Sequence, residues 1–147
     1  MSILLAIDPG KTGAIAAFTE GLLSGIFACD AATLNDALFP GTEVVIEQVN
    51  GVPGQSAPAA FNFGRRYGEL LGVCIANGIE PVLVAPMIWK GALGLRRGTM
   101  TNTEFKTASR ELVSKLYPDH AHLFARAKDD GSAEAVLIGH WYLHHHK

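Results

Sequence analysis

The chain has 147 residues, of which 48% are hydrophobic, and a formal net charge of −2. This length and apolar content predict one domain over residues 1–143, with a disordered tail at 144–147. No apolar run approaches the roughly 20 residues of a membrane span, so we expect a cytoplasmic protein with no membrane partner. Cys29 and Cys74 form no paired motif, which argues against a disulfide framework or a structural zinc site.

The first half of the chain is rich in β-forming residues. Apolar runs bounded by turn residues predict four strands, at 2–8, 13–19, 22–29 and 43–49. The first three are joined by connections short enough for antiparallel hairpins, and the fourth has a continuous apolar middle typical of a strand buried on both faces. A short helix is expected around 33–38.

Ser56 as N-cap and Pro58 in the first turn predict a helix that runs to about Asn77. Glycines recur along it at positions 64, 68 and 72. Each glycine costs about 1 kcal/mol of helix propensity against alanine. We therefore expect this face to pack closely against the sheet or another helix, with a dimer contact as the alternative.

A fifth strand is predicted at 81–85, parallel to the fourth because a helix connects the two. A loop rich in glycine and basic residues follows, from Trp89 to Gly98. A capping box at Thr101 and Glu104 then opens a helix. Its predicted apolar face consists of Phe105, Ala108, Leu112 and Leu116. The last helix begins between 129 and 132, so the order of elements predicts a mixed five-stranded sheet flanked by helices.

Two acidic residues end buried strands. Asp8 follows an apolar run and leads directly into a Pro-Gly turn, and Glu47 lies near the end of the fourth strand. An unpaired buried charge is costly, so each acid needs a cation beside it. If the first and fourth strands are neighbours, Asp8 and Glu47 meet near the centre of the sheet.

The last helix supplies further acids. Asp130 and Glu134 are four residues apart and share a helical face, whereas Asp129 and Glu134 point about 140° apart. Asp130 is therefore the predicted third ligand and Asp129 the reserve, although an acid at a helix start also caps free N–H groups. Together with Asp8 and Glu47 they form an oxygen-only set that suits Mg²⁺ or Mn²⁺. Two such ions can promote phosphodiester cleavage.

Three segments carry a family resemblance. They are residues 6–10 (AIDPG, with Gly13 following), 45–49 (VIEQV) and 128–135 (KDDGSAEA). In this order and spacing they resemble the RuvC-type Holliday junction resolvases, especially the short versions encoded by bacteriophages. The likeness covers nearly the whole chain.

The resemblance implies an α/β, ribonuclease H-like fold with strand order 3-2-1-4-5, a homodimer, and paired nicks at a four-way DNA junction. It also implies two Mg²⁺ ions per active site, with Mn²⁺ as a substitute. By motif position the metal-holding catalytic acids would be Asp8, Glu47, Asp130 (or Asp129) and Glu134. Lys106 matches a basic residue near the scissile phosphate, where a cation would steady developing charge; a solvated surface lysine is the alternative.

Two positions depart from the family pattern. Bacterial members carry a junction-stacking aromatic residue directly after the acidic segment, but this chain has Asn50 there. Phe61, Phe63 and Trp89 are the candidates to replace it, because bases stack on aromatic side chains. The final acid is Glu134, where the family more commonly has aspartate.

Basic side chains supply most nonspecific affinity for DNA. The predicted DNA contacts are Lys11, Lys90, Arg96, Arg97, Lys106, Arg110 and Trp89.

Three other functions compete with junction resolution. A different ribonuclease H-like nuclease would act on branched DNA or RNA–DNA hybrids. An actin-type or sugar-kinase-type domain would use the Asp8 turn for ATP phosphates, but such proteins need a second domain for which 147 residues leave no room. A noncatalytic junction-binding protein would have no use for all four acids.

Overall fold

The computed structural model describes residues 1–51, 53–96 and 98–146. Its sheet contains β1 (Ile3–Asp8), β2 (Ala14–Thr19), β3 (Leu22–Ala28), β4 (Glu43–Glu47) and β5 (Val82–Val84). The strand order is β3-β2-β1-β4-β5. β2 is antiparallel to β1 and β3, whereas β4 is parallel to β1 and β5. The predicted fold class, a five-stranded mixed sheet in the order 3-2-1-4-5, is confirmed.

The helices are α1 (Ala31–Ala37), α2 (Ala57–Ala76), α3 (Pro86–Ala92), α4 (Asn102–Leu116) and α5 (Asp130–Trp141). Both hydrogen bonds of the predicted capping box form at the start of α4, between Thr101 and Glu104, at 3.1 Å each. Of the described helices, none combines the length and apolar character needed to cross a membrane.

Helices cover both faces of the sheet. On one face, Leu34 of α1 and Leu70 and Cys74 of α2 pack against Leu5 and Ile7 of β1. On the other face, α5 packs on β1 and β2 and contacts α3 and α4. The buried residues of α5 include Ala133 and Ala135, together with the run from Val136 to Gly139.

The start of α5 lies directly on the turn between β1 and β2. A Cβ atom at Gly131 would overlap the carbonyl oxygen of Thr12, and one at Gly13 would overlap the carbonyl oxygen of Asp8. Only glycine permits this close approach of backbone to backbone. The contact brings the first turns of α5 to the end of β1.

Two sequence predictions in the second half of the chain are wrong. Residues 89–92, predicted as the start of a loop, belong to helix α3, which has Pro86 in its first turn, where the missing N–H costs nothing. In α4, Phe105 is buried and Ala108 and Leu112 pack against the core as predicted, but the buried residues also include Ser109 and Val113, which were not predicted. Leu116, expected on the apolar face, is 37% exposed.

The glycines of α2 were expected to pack closely against the sheet or another helix, but they do not contact the rest of the described chain. A Cβ at Gly64, Gly68 or Gly72 would meet no atom within 4 Å, so this face of α2 is open. At the other end of the chain, Tyr142–His146 form a π-helical turn after α5, where the sequence predicts a disordered tail from residue 144. Lys147 lies outside the described residues.

Candidate metal centre and nucleic-acid cleft

Three carboxylates meet at one edge of the sheet. Asp8 and Glu47 are the last residues of β1 and β4. These strands run parallel with Ile7 opposite Ile46, so both acids emerge at the same edge. Glu134, one turn into α5, lies beside Asp8, and each carboxyl group shifts the pKa of the other. The expected meeting of the first-strand and fourth-strand acids is therefore present, with Glu134 beside them.

Burial makes this group of acids unfavourable when all are charged. It raises the pKa of Asp8 to about 6, with a further increase from Glu47, while the Gly10 N–H donates to Asp8 at 3.0 Å and opposes the rise. The pKa of Glu134 rises to about 7 because of burial and the nearby Asp8. Burial also raises the pKa of Glu47, against a hydrogen bond from Trp89. The negative charge of the centre is therefore not fully compensated by the protein.

Among the residues that the structure describes, Lys90 is the cation that acts on all three acids. Its Nζ atom lies 3.7 Å from Oε1 of Glu134, and it lowers the pKa values of Asp8, Glu47 and Glu134 electrostatically. The ammonium group also lies 4.8 Å from the ring centroid of Phe105, within the range of a cation–π contact. Lys90 was predicted as a DNA contact, and the structure places it against the acidic centre.

The two neighbouring aspartates at the start of α5 have different partners. Asp129 accepts hydrogen bonds from the backbone N–H and the guanidinium of Arg126, which lower its pKa. Asp130 pairs with Arg110 Nε at 3.1 Å and with Lys106 Nζ at 3.8 Å. Because α5 begins at Asp130, this residue is in helical register with Glu134. Asp129 is fully engaged with Arg126.

Among the described residues, no three His, Cys, Asp or Glu side chains form a ready set of metal ligands. Each acid already has a partner within the protein. Glu134 is bound by Lys90, Glu47 by Trp89, and Asp130 by Arg110 and Lys106. The basic side chains of Arg110 and Lys106 in α4 thus hold Asp130 beside the centre, and its role as a metal ligand stays a prediction.

A cleft of about 770 Å³ opens beside these acids. Its charged lining residues are Lys90, Arg96, Lys106 and Glu134, and its apolar walls include Met87 and Leu95. The side chain of Lys106 is 54% exposed and reaches towards Asp130. The cleft thus joins basic side chains to the carboxylate centre, an arrangement suited to a phosphodiester chain.

Two predicted DNA contacts, Trp89 and Arg110, are occupied by interactions within the protein. Trp89 has 0% exposure and no face free for a base. Arg110 is bound to Asp130 and to the carbonyl of Ala125, and its side chain is only 17% exposed.

The remaining predicted contacts have mixed outcomes. Lys11 and Arg96 are exposed, and Arg97 lies outside the described residues. Of the aromatic candidates, Phe61 is 73% exposed. Phe63 is partly buried beneath the guanidinium of Arg66, whose carbon lies 5.7 Å from the ring centroid.

Sequence reasoning missed the contact between Trp89 and Glu47. Pro86 was the available signal, because proline in a first turn predicts a helix start. A helix beginning there would have brought Trp89 back over the end of the sheet.

Comparison with solved structures places this geometry in a known fold. The structure of Thermus thermophilus RuvC in complex with a Holliday junction substrate matches with a TM-score of 0.61 and 16% sequence identity, over 97% of this chain and 95% of that one. A second Thermus thermophilus RuvC structure matches with a TM-score of 0.57 and 18% identity, over 96% and 95%. The chain has the RuvC fold.

No family model and no curated protein matches the sequence. The likeness to RuvC is therefore one of three-dimensional structure, and it extends over nearly the full length of both chains. Within the RuvC fold of this protein, β1, β4 and α5 contribute the three acids that meet.

Proposed function

We propose that this protein is a metal-dependent, structure-selective endonuclease that resolves four-way DNA junctions by paired phosphodiester hydrolysis. The observation that carries the proposal is the meeting of Asp8, Glu47 and Glu134 at a sheet edge beside a basic cleft. The RuvC fold supports it, since one structure with that fold is a complex with a Holliday junction substrate.

The chemistry of the donor set fits Mg²⁺ or Mn²⁺. The three acids offer only carboxylate oxygens, and their raised pKa values reflect buried negative charge that lacks compensation. Asp8, Glu47 and Glu134 would hold the ions, with Asp130 as the fourth ligand. Two bound ions would activate water and stabilise the leaving oxygen.

The basic residues of the cleft have separate proposed roles. Arg96 and Lys11 are exposed and would bind the DNA backbone, since such contacts give affinity without sequence preference. Lys106 lies at the border of the cleft and the acids, within 3.8 Å of Asp130. There its charge would offset negative charge that develops on the phosphate during cleavage.

We further propose a homodimer through the open face of α2, as paired nicks require two active sites. The three glycines at positions 64, 68 and 72 leave this surface uncovered within the chain. Phe61 and Ile75 near its two ends are 73% and 72% exposed. Gly68→Arg should convert a dimer into a monomer in light-scattering measurements, and an unchanged mass would exclude this interface.

The proposed activity can be tested with three labelled substrates: a mobile four-way junction, a matched linear duplex and an RNA–DNA hybrid. In Mg²⁺ or Mn²⁺ we expect nicks in two junction strands of like polarity and little cleavage of the other substrates. Faster cleavage of the hybrid would instead indicate a different ribonuclease H-like nuclease. Equal cleavage of duplex and junction would exclude resolution.

Asp8→Asn is the matched control for that assay. The asparagine Oδ1 can still accept the Gly10 N–H, so the turn after β1 should persist. The variant should bind junctions in a mobility-shift assay and make no nicks. Full cleavage by this variant would remove Asp8 from the chemistry.

A further inference from the structure

Trp89 is a buried aromatic residue that touches the acidic centre. Its side chain has 0% exposure, and its indole Nε1–H donates a hydrogen bond to Oε2 of Glu47 at 2.8 Å. A buried indole N–H normally has a partner. Here that partner is one of the three acids, rather than a backbone carbonyl or solvent.

The backbone pairing beside Trp89 determines where this contact forms. Glu47 pairs with Val84 across the parallel strands β4 and β5, and the N–H of Gln48 donates to the carbonyl of Val84 at 2.7 Å. Helix α3 begins at Pro86, directly after this strand, and returns the chain over the sheet edge within one turn. The indole is thus only five residues from the backbone that is paired with Glu47.

The hydrogen bond affects both the orientation and the ionisation of the Glu47 carboxylate. It occupies Oε2 and so limits rotation of the carboxylate, while Oε1 is left free of this bond. It also favours the ionised form, opposing the effect of burial on the pKa. A group that donates to a metal ligand orients that ligand, and removing such a group typically costs about 10–100-fold in metal affinity.

We propose that Trp89 is a positioning residue, whose indole N–H holds the Glu47 carboxylate in the orientation in which the acidic centre binds a divalent cation. This inference rests on the proposed function, because it assumes that Glu47 is a ligand. It replaces the sequence-based role of Trp89 as a platform for bases.

The first test is Mn²⁺ binding to the full-length protein without DNA, measured by electron paramagnetic resonance. Trp89→Phe should weaken binding by about 10-fold or more. Trp141→Phe is the matched control, because Trp141 is also buried, at 7% exposure in the same hydrophobic core, and is not bonded to Glu47. It should change the affinity less than twofold. Equal Mn²⁺ affinities for wild type and Trp89→Phe would overturn the proposal.

An isosteric replacement separates the hydrogen bond from packing. In the Trp141→Phe background, 3-benzothienylalanine at position 89 keeps the shape of the ring and lacks the N–H. This protein should lose Mn²⁺ affinity as Trp89→Phe does, with an unfolding temperature close to that of its background. Retained affinity would show that packing alone is responsible and would contradict the inference.

Nuclear magnetic resonance observes the bond directly in metal-free protein. The two indole N–H signals come from Trp89 and Trp141. Glu47→Ala should change the chemical shift of the Trp89 signal and speed its exchange with solvent hydrogen, and it should leave the Trp141 signal unchanged. If wild type binds no Mn²⁺, the proposed metal centre fails together with this inference. If wild type binds Mn²⁺ and the Trp89 variants bind it with the same affinity, the positioning role fails while the proposed metal centre stands.

Discussion

Replacing Asp8 by asparagine should stabilise the metal-free protein while abolishing cleavage. Asp8 is 7% exposed, and burial together with Glu47 raises its pKa from 3.8 to about 6. Asparagine removes the buried charge and keeps the oxygen that accepts the Gly10 N–H. The substitution therefore isolates the cost of ionising this side chain inside the fold.

The pKa difference sets the magnitude and the pH range. Below pH 3.8 the carboxyl is neutral in both states and costs nothing. As the pH rises, the unfolded chain ionises first, so the folded state loses relative stability until the pH passes the folded pKa of about 6. The full difference corresponds to about 3 kcal/mol. Because Glu134 shares the charge, we expect a gain of about 1–3 kcal/mol for Asp8→Asn at pH 8.

Thermal unfolding in EDTA measures this effect. A gain of about 1–3 kcal/mol corresponds to an increase of roughly 3–10 °C for a chain of this size. The increase should be fully present at pH 8 and much smaller at pH 4. Asp36→Asn, at an exposed position of α1, is the control and should change the midpoint by less than 1–2 °C, roughly the effect of a neutral surface substitution. A lower midpoint for Asp8→Asn at pH 8 would refute the electrostatic reasoning.

Adding Mn²⁺ should reverse the order of stability. A ligand at 1,000 times its dissociation constant stabilises the folded state by about 4.1 kcal/mol, more than the advantage expected for Asp8→Asn. Wild type should gain this amount, and Asp8→Asn should gain little. Equal stabilisation of both proteins would place the bound ion away from Asp8.

Three further predictions concern two glycines, two basic side chains of α4, and Glu47. Gly131→Ala should lower the free energy of unfolding by about 1–3 kcal/mol in urea, because its Cβ would overlap the Thr12 carbonyl. Gly91→Ala is the control: this position lies in open space within α3, so the substitution should leave the free energy of unfolding unchanged or raise it. Lys106→Ala should reduce junction cleavage at least 10-fold with little change in stability. Arg110→Ala should lower the unfolding midpoint, because it leaves Asp130 without its closest partner. Loss of stability in Lys106→Ala with unchanged stability in Arg110→Ala would contradict these roles. Glu47→Gln should keep junction binding in mobility shifts and lose cleavage at least 100-fold, and unimpaired cleavage would show that its charge is dispensable.

The strands and the meeting of two acids were predictable from sequence because their signals are local. Apolar runs bounded by turns mark β1 to β5, and a helix between β4 and β5 requires a parallel crossover. Asp8 and Glu47 each follow such a run, so their positions at the ends of neighbouring strands follow from the topology. The strand order 3-2-1-4-5, which the resemblance to RuvC-type resolvases implied, was also confirmed.

The surroundings of the acids were not predictable in the same way. Trp89 lies in a short stretch with proline and glycine, which resembles an exposed loop, and its burial depends on a helix of only seven residues. The pairing of Arg110 with Asp130 depends on how α4 packs against α5. Neither contact leaves a periodic pattern in the sequence. The buried stripe of α4 was misassigned because Ser109 is polar and satisfies its hydroxyl within the helix, on the carbonyl of Phe105.

The most direct test of the proposed centre is the anomalous scattering of Mn²⁺ in crystals of the wild-type protein soaked in the ion. We predict density at the edge of the sheet, within about 2.0–2.6 Å of carboxylate oxygens of Asp8 and Glu134, and none there in Asp8→Asn crystals. Mn²⁺ density only at other positions, or no density at millimolar Mn²⁺, would contradict the assignment of these buried acids as a metal centre.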